Sequence, residues 1–149
     1  MLSQLFETIL TEQSGKLTVY YESNLTSLDR LNYPVFTSPR KEAVEDDGEH
    51  LYRMEIDIRR CFDSLDKEKI KWIYENGFNF YDGYRDFTID NIEELPANYQ
   101  VDSWNFIENT DGVINAIFKE GWTAIRATEN KLPVYYILPS TIQTAVQLK

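Results

Sequence analysis

A single glutamate lies between two apolar segments near the end of the chain. Residues 122–127 and 132–138 are rich in β-branched and aromatic residues, which predicts two strands. The polar segment 127–131 between them is predicted to be their turn, and it holds Glu129 at the end of a strand pair. A carboxylate in such a place can stabilise positive charge or accept a proton during catalysis. An ordinary solvated turn residue is the alternative interpretation.

The other residues that could do chemistry are isolated in the sequence. His50 is the one histidine, so a metal site with several histidine ligands is excluded. Cys61 is the one cysteine, which excludes an internal disulfide and a cysteine-based metal cluster. The chain has neither a glycine-rich phosphate loop nor a G-x-S-x-G segment. No metal site is therefore expected, and the remaining carboxylates are interpreted as surface charges or helix caps.

Length and composition are typical of one folded domain. Of the 149 residues, 42% are apolar, so we predict a single domain over residues 1–149. No apolar segment is long enough to span a membrane, and the N-terminus lacks the basic start of a signal peptide. A cytoplasmic location without membrane binding is predicted. The net charge of −10 argues against direct nucleic-acid binding and would suit a basic partner.

Strand and helix patterns alternate along the chain. Besides the final strand pair, strands are predicted at 16–23, 34–38 and 50–58, and after Pro139. Helices are predicted within 1–15, over 66–77, and over 101–121 with a break near 109–112. Asp66 and Gly77 are typical of the start and the end of a helix. This order favours a mixed α+β domain rather than a doubly wound parallel sheet.

Four segments resemble, in order and spacing, the motifs of one known family. They are a Val-Tyr strand end at 19–23, a Phe-Thr-Ser strand at 36–38, an alternating strand leading into a turn at 52–63, and the final strand pair with its following Pro-x-x-Ile-x-x-Ala at 121–145. This set is similar to the small, single-domain ADP-ribosyltransferase-like proteins of phages and mobile elements. The layout also resembles ADP-ribosylating anti-CRISPR proteins, which carry an acidic residue in the same final turn.

The resemblance implies both a fold and an enzymatic function. The fold would be an α+β domain with an ADP-ribosyltransferase-like split β-sheet and flanking helices. The function would be NAD-dependent mono-ADP-ribosylation of a host or defence protein, with NAD as a substrate. Glu129 would be the catalytic carboxylate, because positive charge develops on the ribose as nicotinamide leaves. The implied cofactor-binding residues, besides a tyrosine of the last strand, are Tyr20, Tyr21, Ser23, Phe36, Thr37, Ser38 and Arg126.

Two positions differ from the family pattern and support a second hypothesis. Tyr21 stands where the family has a histidine that grips the cofactor, and Glu22 stands where a small residue leaves room for it. The alternative function is a catalytically degenerate, acidic binding or inhibitor protein on the same fold, which opposes a defence system or mimics nucleic acid. The enzyme hypothesis predicts that Glu129, Tyr21 and Ser38 share one cleft. The alternative predicts that Glu22 or a bulky side chain occupies the cofactor space.

Overall fold

Strands and helices alternate in the computed structural model, which describes residues 15–29, 31–45, 48–81, 86–87 and 95–149. The strands are β1 (Lys16–Ser23), β2 (Val35–Thr37), β3 (His50–Asp57), β4 (Cys61–Asp63), β5 (Phe80–Tyr81), β6 (Asp86–Phe87), β7 (Ala124–Glu129), β8 (Leu132–Ile137) and β9 (Ile142–Gln147). The α-helices are α1 (Lys67–Glu75), α2 (Ala97–Val101), α3 (Ser103–Glu108) and α4 (Val113–Lys119). The predicted α+β class is confirmed, whereas the ADP-ribosyltransferase-like split sheet stays a prediction. The predicted N-terminal helix lies outside the described residues.

The first sheet is antiparallel and has the strand order β1-β3-β9. The strands predicted at 16–23 and 50–58 are confirmed as β1 and β3. Successive residues of a strand point to opposite faces, so Met54 and Ile56 of β3 are buried whereas Arg53 is exposed. The predicted final strand is confirmed as β9, which lies at the outer edge of the sheet.

The second sheet has the strand order β2-β8-β7-β4. β8 pairs antiparallel with β2 and with β7, whereas β4 pairs parallel with β7. The prediction of a turn at residues 61–63 was wrong, because the structure places strand β4 there. β4 has three residues and is held by partners far along the chain, from Ala124 to Arg126. Local sequence carries no signal for such a pairing.

Two hydrophobic clusters lie on opposite faces of the second sheet. One cluster joins the two sheets; among its buried members are Leu17, Val19, Met54, Ile56, Tyr135 and Ile137. The other joins the second sheet to the helices; among its buried members are Phe62, Ile70, Ile73, Phe106, Ile117 and Val134. The second sheet is thus covered on both faces, which accounts for the nearly continuous burial of β7 and β8.

The two sheets also meet through their backbones, where β1 passes the end of β2. Tyr20 N donates to Ser38 O at 2.7 Å, and Ser38 N donates to Tyr20 O at 3.1 Å. This pair of hydrogen bonds brings the side chains of the two strands close together at the boundary between the sheets.

The turn between β7 and β8 is shorter than the sequence predicts. β7 continues through Glu129, which pairs with Leu132 of β8. The turn therefore consists of Asn130 and Lys131, whose φ angles are 52° and 70°. Two consecutive residues with positive φ match the twist of a two-residue hairpin. The prediction of a turn over 127–131 was wrong, and Glu129 belongs to the strand.

Replacing Lys131 with glycine is expected to stabilise the protein by roughly 0.5–1 kcal/mol. A residue with a β-carbon costs about 1–2 kcal/mol in the left-handed region, a cost that glycine avoids. The greater freedom of glycine in the unfolded chain offsets part of that gain. Urea unfolding measures the difference, with Lys131→Ala as the control that keeps the β-carbon. A glycine variant no more stable than the alanine variant would contradict the expectation.

Helix α1 has the ends that the sequence predicts. Asp66 lies immediately before the helix, and its Oδ1 accepts a hydrogen bond from Glu68 N at 3.0 Å. Gly77 follows the helix with a φ of 89°, a conformation that commonly ends helices. Both predicted helix signals are therefore confirmed.

Replacing Asp66 with alanine is expected to lower the free energy of unfolding by about 1 kcal/mol, because the first turn of α1 loses its side-chain acceptor. Asp66→Asn keeps an acceptor oxygen at the same place and is expected to lose much less. Urea unfolding of both variants gives the comparison. Equal losses would show that the stabilisation does not come from the cap.

Candidate functional site

A cleft lies where β1, β2 and β8 meet the helices α3 and α4. Its volume is about 330 Å³, near the lower end of the range for small-ligand sites. The residues that line it are Tyr21, Glu22, Tyr33, Pro34, Val35, Phe36, Trp104, Glu108, Ile114 and Tyr136. Five aromatic residues and the exposed Glu108 therefore make up much of its wall.

Three aromatic rings form a continuous surface in this cleft. Phe36 and Tyr136 are direct partners across β2 and β8, so their side chains share one face of the sheet. Trp104 of α3 packs against both, with ring centroids 4.9 Å from Phe36 and 5.2 Å from Tyr136. All three are half-buried, so each ring keeps an accessible part.

Glu108 supplies an exposed carboxylate beside these rings. It lies four residues after Trp104 on α3, and residues at this spacing share a helix face. Burial of the ring and, to a smaller degree, the charge of Glu108 raise the pKa of the Tyr136 hydroxyl. The carboxylate is thus close enough to Tyr136 to act on it electrostatically.

Glu22 also belongs to the cleft lining, but its side chain is fully buried, so its carboxylate has no surface open to the cleft. Its Oε1 accepts a hydrogen bond from Gly48 N at 3.2 Å and lies 3.7 Å from Lys149 Nζ. A β-carbon at position 48 would lie 2.6 Å from the carbonyl carbon of Ser23, so only glycine allows this approach. The surrounding chain is therefore shaped to hold Glu22.

Tyr21 lines the cleft beside Glu22. Its ring is largely buried and stacks on Tyr52, with the ring centroids 6.5 Å apart. Burial raises the pKa of its hydroxyl, and a hydrogen bond with Ser23 partly opposes that effect. Tyr33, which is 48% exposed in the loop before β2, also interacts with this hydroxyl. Polar groups of the chain itself thus surround the hydroxyl end of Tyr21.

The hydroxyl residues that the resemblance implies as cofactor ligands bond to the protein backbone. Thr37 and Ser38 are fully buried, and Thr37 Oγ1 donates to the carbonyl oxygen of Tyr135 at 3.0 Å. Ser38 Oγ accepts from Arg40 N and Ser23 Oγ accepts from the backbone N–H two residues onward, each at 3.1 Å. These three residues lie outside the cleft wall.

Glu129 lies at a distance from the aromatic wall. Tyr136, which lines the cleft, pairs across the sheet with Ile125 of β7. Glu129 is four residues further along the same strand, which corresponds to about 13 Å at the rise of a β-strand. The structure therefore brings Tyr21 and Phe36 to one cleft and does not bring Glu129 or Ser38 to it.

Tyr20 and Arg126 also lie outside the cleft wall. Tyr20 follows the alternation of β1 and points to the face opposite that of Tyr21. Arg126 lies beside β4, with its Nη1 3.9 Å from Asp63 Oδ1. The roles of these residues in cofactor binding stay predictions.

NAD, which the resemblance implies, fits this cleft only in part. The half-buried ring of Phe36 offers a surface on which a planar group can stack, whereas the ring of Tyr21 is largely buried and stacks on Tyr52. The carboxylate of Glu108 is exposed in the wall, however, and like charges repel, which disfavours a diphosphate there. The wall thus suits a planar cation better than it suits a dinucleotide.

Trp104 and Glu108 are the two cleft residues whose role sequence reasoning misses. The sequence predicts Trp104 as a core residue, and the ring does pack against the core cluster at the helices. Its spacing of four residues from Glu108 is the signal that could have shown an aromatic ring and a carboxylate on one helix face.

A second cavity, of about 360 Å³, lies between the β3–β4 turn and the β8–β9 connection. Asp57 and Arg59 in its wall form a paired group, since Arg59 Nε donates to both carboxylate oxygens of Asp57 at 3.0 Å. Arg59 N donates to Asp57 Oδ1 at 2.9 Å as well.

The Asp57 carboxyl is expected to titrate with a pKa of about 2. The side-chain hydrogen bonds from Arg59 are the main cause, followed by the backbone hydrogen bond from the same residue. Because the folded pKa lies below the ordinary value of 3.8, this pair stabilises the fold above about pH 4 and is lost as the pH falls towards 2. Carboxyl ¹³C NMR measures the midpoint. Arg59→Ala should return it towards 3.8; an unchanged midpoint would contradict the assignment.

Within the described ranges, no three or more histidine, cysteine, aspartate and glutamate side chains are grouped so as to hold a metal ion. Among the helices in the same ranges, none combines the length and the apolar character needed to cross a membrane.

Comparison with known proteins gives a remote structural likeness. No family model and no curated protein matches the chain. The crystal structure of an anti-CRISPR protein is similar to it with a TM-score of 0.48 and 14% sequence identity, over 91% of this chain and 97% of that one. A likeness at this level carries no argument about what this chain binds, so its function has to be argued from the cleft.

Proposed function

We propose that this chain is an acidic binding protein that recognises a partner protein through its cleft and does not use NAD. The observation that carries the proposal is the position of Glu22. In the family pattern a small residue leaves room for the cofactor at this place, whereas here the cleft lining contains the larger Glu22, whose side chain is fully buried. The hydrogen bond from Gly48 N and the nearby Lys149 ammonium hold that carboxylate in place.

The charge of the chain supports a basic partner. A protein with a net charge of −10 attracts positively charged surfaces and repels nucleic acids. An exposed carboxylate in the cleft wall, Glu108, directs part of that attraction to the cleft. The partner class that the resemblance implies, a host or defence protein, stays a prediction.

NAD-dependent mono-ADP-ribosylation is the second candidate. Tyr21 and Phe36, two of the implied cofactor-binding residues, line one cleft, which favours it. ADP-ribosylation requires a carboxylate at the ribose. Phe36 is aligned across the sheet with Ile125 of β7, and Glu129 lies about 13 Å further along that strand. It therefore also requires a rearrangement of the β7–β8 hairpin or a part of the cofactor that reaches beyond the cleft.

Calorimetric titration with NAD separates the two candidates. The unaltered protein is expected to give no binding heat up to millimolar NAD, and any NAD affinity should be higher in Glu22→Ala, because the smaller side chain leaves the room that the family pattern has at this position. Binding by the unaltered protein that is lost in Tyr21→Ala would favour the transferase. NAD consumption that is lost in Glu129→Gln would establish transferase chemistry and refute the proposal.

A further inference from the structure

We propose that the cleft binds an arginine side chain presented by the partner protein. This inference rests on the proposed function and names the group that the partner supplies. Phe36, Trp104 and Tyr136 provide the faces on which the guanidinium stacks, and Glu108 provides the carboxylate that faces it. The partner segment is basic, in keeping with the net charge of −10.

The arrangement of the rings favours a flat ligand. Trp104 is tilted by 46° to both Phe36 and Tyr136, so the three half-buried rings form a bent surface rather than a closed stack. A guanidinium is planar and weakly hydrated, and it stacks on aromatic faces more readily than an ammonium does. Tyr33, whose side chain is largely exposed in the loop before β2, adds a further ring to the cleft wall.

The charges in the wall favour a cation. Among the described residues that line the cleft, two are glutamates and none is a lysine, arginine or histidine. Glu22 is fully buried and lies 3.7 Å from the Lys149 ammonium of the chain itself, so Glu108 is the carboxylate that can meet a ligand. Glu108 is exposed and lies on the same helix face as Trp104, so its oxygens can meet a group that stacks on the indole.

A peptide titration tests this assignment, and citrulline is the matched probe. The peptides are acetyl-Gly-Arg-Gly-amide and the same peptide with citrulline, which keeps the planar shape of the side chain and removes its charge. The protein is expected to bind the arginine peptide at least about tenfold more tightly than the citrulline peptide in low salt. Added salt should weaken the binding of the arginine peptide and leave the binding of the citrulline peptide unchanged, because salt screens the interaction between charges.

Two cleft variants and one control variant test whether the peptide binds in the cleft. Glu108→Gln keeps the size of the side chain. It is expected to lower the affinity for the arginine peptide by about threefold, a typical effect for an exposed ion pair. Glu75→Gln removes the same charge from an exposed position on α1, outside the cleft wall, and is expected to leave the affinity for the arginine peptide unchanged. Trp104→Leu keeps an apolar side chain and removes the indole face, so arginine binding should be lost while urea unfolding confirms that the variant still folds.

The possible results separate this inference from the proposed function. Equal binding of both peptides, or no binding of either in the millimolar range, would overturn the arginine assignment. An equal effect of Glu108→Gln and Glu75→Gln would overturn it as well, because the attraction would then come from the whole surface. NAD that binds and is consumed would instead refute the proposed function, whichever peptide binds.

Discussion

Replacing Phe62 with alanine is expected to lower the free energy of unfolding by about 3–5 kcal/mol. Phe62 lies in β4, is fully buried, and belongs to the cluster between the second sheet and the helices. Its ring meets Trp72 and Trp122 edge to face, with centroid distances of 5.9 Å and 5.8 Å. The variant therefore loses the burial of a large ring and two favourable aromatic contacts, and it leaves a cavity between two indoles.

The size of this loss depends on how β4 is held. β4 has three residues and, among the described strands, pairs with β7 alone, so the side chain of Phe62 supplies much of what keeps the strand in place. Urea unfolding measures the loss. Phe62→Leu is the control, since it keeps most of the apolar volume and is expected to lose less than half as much. A loss near 1 kcal/mol in the alanine variant would show that the neighbouring indoles close the cavity.

Replacing Thr128 with valine is expected to lower the free energy of unfolding by about 1–3 kcal/mol, the second largest effect. Thr128 Oγ1 accepts from Ser103 N at 3.0 Å and lies 3.0 Å from Gln100 O, to which it donates. Thr128 N in turn donates to Ser103 Oγ at 2.9 Å. Ser103 and Thr128 are both buried, so valine leaves the N–H group at the start of α3 without its acceptor.

These bonds connect the β7–β8 hairpin to α3 across a distance of 25 residues in the sequence. The acid before α3, Asp102, makes no cap to its own helix and accepts instead from Asn130 N in the hairpin turn, at 2.8 Å. Thr128→Ser retains the hydroxyl and should lose much less stability than Thr128→Val in thermal or urea unfolding. Equal losses in the two variants would mean that the methyl group stabilises this contact as much as the hydroxyl does.

The sequence predicts those elements whose signals are local. β1 and β3 follow from their β-branched and alternating residues, and α1 follows from Asp66 and Gly77 at its ends. The sequence does not predict the short strand β4, because its partner strand lies far along the chain. The bounds of the β7–β8 turn are predicted wrongly because Lys131 adopts a positive φ, a conformation that is uncommon for lysine.

Part of the candidate site is also visible in the sequence. Tyr21 and Phe36 are named from the resemblance to ADP-ribosyltransferase-like proteins, and both line the cleft. Glu22 marks a departure from the family pattern, and it belongs to the cleft lining with its side chain fully buried. That it occupies the cofactor space, as the second hypothesis states, stays a prediction. The contribution of Trp104 and Glu108 depends on how α3 packs across β2 and β8, and tertiary packing of this kind has no local sequence signal.

The most direct test of cation binding by the cleft is an NMR titration that follows the indole N–H signals of Trp72, Trp104 and Trp122. Trp104 lines the cleft, whereas the other two pack around Phe62 at a different place. The arginine peptide should shift the Trp104 signal and leave the other two unchanged, while NAD at the same concentration should shift none. A Trp104 signal that moves with NAD and not with the arginine peptide would contradict the binding hypothesis and favour the transferase.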